Sequence, residues 1–163
     1  VDPILQKQAE CVSTMTYNEY WQVVDAGLSP SELVVYKYED QGVATLEDGL
    51  YVLEKNLRNK AFVDKMARFL RASIKGWKYA ADHPDEAADI VLENDDTGAQ
   101  TKKHQRRMMR EITKLVGSQP QGIGYLIPAD YNRTVKVLMA TDSTPVITKK
   151  PKGAWSHIIW DAM

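Results

Sequence analysis

The 163-residue chain has one cysteine, two phenylalanines and no apolar run near the roughly 18 residues needed to cross a bilayer. Each shortage closes a class. Cys11 has no second cysteine with which to form an internal disulfide or a metal knuckle. An excess of one charge is missing too: 21 Lys and Arg face 22 Asp and Glu, so no global field draws nucleic acid or anionic lipid. The opening Val1-Asp2-Pro3-Ile4-Leu5-Gln6-Lys7-Gln8 lacks the basic and apolar zones of a secretory leader. A start at Val1 so close to structured sequence leads us to expect a larger protein of which this is a part.

What remains is an ordinary globular composition, 44% hydrophobic and 26% charged, which carries enough apolar mass for a core and argues against disorder or a coiled coil. The front of the chain reads as strand, helix, strand. Cys11 to Met15 is a β-branched run. Thr16 and Glu19 have capping-box spacing, which starts a helix of about three turns that Gly27 stops. Ser29-Pro30-Ser31 is turn chemistry, Leu33 to Tyr38 reads as a second strand, and Leu50 to Leu53 as a third.

Behind them the period changes to that of helices. Phe62, Met66, Phe69, Leu70, Trp77 and Ala80 fall on one face of a helix over 59–81. Pro84 suits the first turn of a second helix, with Ala87, Ala88, Val91 and Leu92 inward. A third, over about 100–116, buries Met108, Ile112, Leu115 and Val116 before Gly117 stops it, a fourth spans 128–140, and a last short one follows Ala154. Gly122-x-Gly124 is a turn, since no third glycine and no helix follow as a nucleotide loop requires. Two or three strands under so many helices make an α/β layout that other strands would have to complete.

Thr16 to Glu19 is the candidate site, because ligands of open α/β sheets gather where strands lead into helices. Tyr17, Tyr20 and Trp21 offer faces to a flat heteroaromatic ring, Asn18 an amide, and Glu19 a carboxylate that can accept from an exocyclic amine. The competing reading keeps Glu19 as a cap and the aromatics as core. Lys102 to Arg107 with Arg110 reads as the solvated side of a helix, offset by seven acids between Asp82 and Asp96. His83, His104 and His157 have no partner at metal-ligand spacing, so no metal site is expected. Cys11 reads as a small hydrophobe rather than a nucleophile.

Thr14-Met15-Thr16-Tyr17-Asn18-Glu19-Tyr20, Phe69-Leu70-Arg71-Ala72-Ser73-Ile74-Lys75-Gly76-Trp77 and His83-Pro84-Asp85-Glu86-Ala87-Ala88 together resemble the NMT/thiamine-pyrimidine family of periplasmic solute-binding proteins. The last two are similar to a helix pair shared with taurine, sulfonate and nitrate binding proteins of ABC importers. The resemblance implies part of a two-lobed type II binding-protein fold: 1–48 ending one α/β lobe, 49–56 a crossing strand, and 57–163 the helical part of the other lobe and the tail. It implies an extracytoplasmic chain that passes a thiamine pyrimidine precursor, or a similar heteroaromatic, to an ABC permease. Glu19 would pair with the amino-pyrimidine edge and Tyr17 and Asn18 would line the cleft, with no cofactor and no covalent chemistry. Exposed lobe surfaces would favour self-association.

Three alternatives stay open. The family includes pyrimidine synthases, which use a cysteine-rich motif, a sacrificial histidine and pyridoxal phosphate; this chain has one Cys and no such motif. A sulfonate, taurine or nitrate type of binding protein shares the helix pair. A helical interaction module would fold as a compact monomer.

Overall fold

A computed structural model describes residues 1–116, 120–140 and 144–163. Helix α1 spans Asp2–Leu5, α2 Glu19–Asp25, α3 Lys60–Asp82, α4 Pro84–Glu93, α5 Lys102–Val116, α6 Pro128–Met139 and α7 Ile158–Asp161, with 3₁₀ turns at Pro30–Glu32 and Glu54–Arg58. The expected α/β sheet does not form: among the described residues there is no strand. The three segments read as strands run without a ladder. No described hydrogen bond reaches the amides of Val34, Val35, Tyr36 or Lys37, and Val34 and Tyr36 are 79% and 73% exposed. Tyr51 is 81% exposed, and the expected crossing strand gives way to the 3₁₀ turn at Glu54–Arg58. β-branched and aromatic residues make a segment fit a pleated, half-buried surface; they do not supply the neighbouring strand whose carbonyls must accept its amides.

The chain divides into two compact units. The first comprises Val1–Val34 with Lys75–Pro120, and the second Val35–Ile74 with Gln121–Met163. Helix α3 contributes its amino-terminal part to the second and its last turns to the first.

In the first unit Val23, Ala87 and Ala88 are buried. Pro84 occupies the first turn of α4, where its missing N–H costs nothing, as its place in the sequence predicts. Ala87 and Ala88 let α5 approach closely, and ion pairs flank that contact: Lys102 to Asp89 at 2.9 Å, Arg110 to Asp85 at 3.3 Å and Arg106 to Asp85 at 3.5 Å. The basic side of α5 is therefore matched to the acidic side of α4, in keeping with its reading as offset by those acids. Gly27, at φ 110°, ends α2 as expected, because an L side chain rarely adopts that conformation.

In the second unit Val63, Ala67, Val135 and Ile159 are buried. The long helix α3 forms where its periodicity places it, but its most buried positions lie one residue beyond the expected Phe62 and Met66, which with Leu70 are half-buried. Val63 and Ala67 go inward, while Phe69 is 55% exposed. The segment before the 3₁₀ turn is tied to α6 by Arg133 Nε donating to the Ala44 carbonyl at 2.8 Å and the Leu46 amide donating to Thr134 Oγ1 at 2.8 Å. Tyr125 stacks on His157 at 4.4 Å between centroids, and His157 Nε2 lies 2.7 Å from the Leu126 carbonyl. The helix stop expected at Gly117 lies outside the described residues.

Ala88→Leu should destabilise the chain by about 1–3 kcal/mol, since Ala88 has no exposed surface and α5 leaves no room for three more carbons. Phe69→Ser on α3 should stay within about 0.5 kcal/mol. Urea melts followed by circular dichroism measure both, and equal effects would contradict the burial pattern.

Candidate functional site

Met15 to Tyr20 folds as a tight turn into α2, and the amides of Asn18 and Tyr20 both donate to the Met15 carbonyl, at 3.2 and 3.3 Å. The helix therefore starts later than the capping-box spacing predicts. Asn18, not Thr16, takes the capping position, and α2 is a seven-residue helix of two turns rather than three. The Glu19 carboxylate still turns back on the chain, but one residue further: Oε2 accepts the Met15 amide at 2.9 Å. Glu19 thus has the local anchoring role weighed against a ligand role.

Asn18 does not cap with its side chain. Its Nδ2 donates to Glu19 Oε1 at 3.1 Å, and its Oδ1 lies 2.8 Å from His104 Nε2 and 3.3 Å from Gln22 Nε2. One chemical constraint orients this network. An ionised carboxylate only accepts, so the amide group facing Glu19 is the NH₂. Oδ1 then faces His104, and His104 must carry its hydrogen on Nε2. Asn18 and Glu19 are both half-buried, whereas His104, from α5, is only 9% exposed.

A second set of contacts joins α5 to the far end of α2. Asp25 accepts from Lys103 and Arg107, both at 2.9 Å. The Arg107 guanidinium lies 4.8 Å over the Trp21 ring, so that face is taken by a cation and is not open to a stacking ligand. Tyr20 meets Trp21 edge to face at 5.1 Å. The Trp21 indole N–H is buried with no acceptor among the described residues. Tyr17 and Tyr20 are half-buried beside the Asn18–Glu19 pair in sequence.

Each expected site residue thus has a place: Asn18 and Glu19 meet directly, and Tyr17 lies in the turn that precedes them. Sequence reasoning missed His104, taken there as one of three scattered histidines. A signal existed. His104 lies one turn before Met108 and two before Ile112, so extending that stripe backward puts it inward. Among the described residues no three His, Cys, Asp or Glu side chains converge as metal ligands would, and no helix is long and apolar enough to cross a membrane.

Comparison with known families decides the lineage. A family model described as NMT1/THI5 like matches residues 1–87, more than half of the chain. The chain belongs to the NMT1/THI5-like family. No curated protein and no solved structure matches it at a significant level. The match includes Asn18 and Glu19 and ends before α5. Membership supports a solute-binding or related role, and members of the NMT1/THI5-like family are typically extracytoplasmic binding proteins.

The hydrogen bond from Lys103, then that from Arg107, holds the Asp25 carboxyl below the usual carboxylate range, and Lys102 does the same for Asp89. A depressed folded value means that the unfolded chain binds protons first. The stabilisation is present above about pH 4 and is lost as pH falls through the lower folded values. Melting temperatures taken from pH 7 down to 2.5 should drop on the acid side, and Asp25→Asn should shrink that drop. Parallel curves for the two proteins would show that the α2–α5 pairing contributes nothing to it.

Proposed function

We propose that this NMT1/THI5-like chain is the solute-binding component of an ABC importer, capturing a thiamine pyrimidine precursor or a similar heteroaromatic outside the cytoplasm and releasing it to the permease. The observation that carries the reading is the Asn18–Glu19 pair, a donor and a carboxylate 3.1 Å apart. After its internal bonds the pair keeps one Nδ2 hydrogen and a lone pair on each carboxylate oxygen. That edge complements a ring nitrogen beside an exocyclic amine, and Tyr17 and Tyr20 supply flat, apolar surface next to it. Binding of this kind needs positioned polar groups and no covalent step, and the activity is capture and release. Self-association belongs to the same proposal, because Val34, Tyr36, Tyr51 and Leu53 present apolar surface that stays exposed among the described residues.

Glu19→Gln should weaken binding of 4-aminopyrimidine about tenfold or more in a calorimetric titration, since a charge-assisted hydrogen bond contributes roughly 1.5–3 kcal/mol. An unchanged affinity would leave Glu19 as an anchor of the turn alone. Light scattering coupled to size exclusion should show dimers or larger species at tens of micromolar, and a sharp monomer peak would remove the association claim.

A further inference from the structure

The network around Asn18 contains a residue that neither the family match nor the motif around Glu19 includes. We infer that His104 is a specificity-determining positioning residue, which holds through Asn18 the donor that lets the Asn18–Glu19 edge recognise a ring nitrogen beside an amine. The inference rests on the solute-binding reading above and deepens it.

The argument starts from how many bonds Asn18 can make. Its Oδ1 has two lone pairs, met by His104 Nε2 at 2.8 Å and Gln22 Nε2 at 3.3 Å. The shorter bond comes from the buried partner, while Gln22 is exposed and exchanges its weaker bond readily with water. Glu19 Oε1 holds the other side of the amide at 3.1 Å, and His104 is what keeps the group from pivoting about that bond and swinging Oδ1 toward solvent. If it swung, the free Nδ2 hydrogen would leave the edge, and the ligand would meet Glu19 alone. A lone carboxylate accepts from an exocyclic amine whether or not a ring nitrogen lies beside it, so the discrimination between the two would be lost.

His104 is itself held in place. Its backbone amide donates to Thr101 Oγ1 at 3.2 Å, and α5 is anchored by Lys102 on Asp89, Arg110 on Asp85, and Lys103 and Arg107 on Asp25. None of these contacts involves the imidazole. Replacing the ring should leave α5 docked and change only the group that holds Asn18.

The test compares His104→Leu, which keeps apolar volume without a donor, with His104→Gln, which can return an N–H to Asn18. Calorimetric titrations of the 163-residue chain use 4-aminopyrimidine and aniline, which carries the amine with no ring nitrogen beside it. The wild-type chain should prefer 4-aminopyrimidine about tenfold or more, His104→Leu should reduce that preference to about threefold or less, and His104→Gln should restore most of it. In parallel, nitrogen-15 spectra without ligand should place the His104 proton on Nε2, and the Asn18 NH₂ signals should exchange faster with water in His104→Leu. A preference unchanged in His104→Leu, or a proton found on Nδ1, would overturn the inference. Binding of neither compound by the wild-type chain would overturn the solute-binding reading and the selectivity role with it. That failure is told apart from a failure of His104 alone by the ligand-free spectra, which then still show the Nε2 proton.

Discussion

The hydrogen bond between His104 and Asn18 joins residues 86 positions apart and sets the arrangement of the polar groups at the start of α2. Because it is made by a buried ring, little water competes with it, and a polar group in that position costs stability unless it is paired. The pairing fixes the imidazole tautomer, the Asn18 amide and the lone pairs left on Glu19. Two turns along α2, Lys103 and Arg107 hold Asp25, so α5 meets α2 at both ends through polar contacts rather than apolar ones.

That choice of contacts fits the small size of the core. Among the described residues the buried apolar side chains are Val, Ala and Ile, and none of the larger side chains is fully enclosed. Exposed ion pairs contribute little individually, and a network along one helix gains mainly by fixing register. On α5 the register set by Asp85, Asp89 and Asp25 brings His104 to Asn18. The charged face of that helix thereby has a role that its composition alone does not reveal: it aligns the helix.

How much of this was legible in the chain differs by element. The helices over Lys60–Asp82, Pro84–Glu93, Lys102–Val116 and Pro128–Met139 follow from periodicity, the proline at the first turn of α4 and the glycine after α2, all properties of neighbouring residues. The contacts between Asn18, Glu19 and Met15 are equally local, and the sequence pointed to that turn, missing the cap by two residues and the Glu19 back-bond by one. The strands were misread because their residue types were right but their partners were absent: a ladder needs a second backbone at about 4.8 Å, and none of the described residues provides one. The inward face of α3 was misread because Phe62, Phe69 and Trp77 are large, whereas close packing in this unit selected the smaller Val63 and Ala67.

By itself, then, the order of residues determined family, helix positions and the turn that presents Asn18 and Glu19, since each depends on interactions within a few residues or on a motif carried in one stretch. Only the tertiary structure decided which face of α3 turns inward, that no sheet forms among the described residues, and that His104 stands against Asn18. Those outcomes depend on distances between segments far apart in the chain, and such distances are set by how side-chain volumes and charges fit when the helices meet.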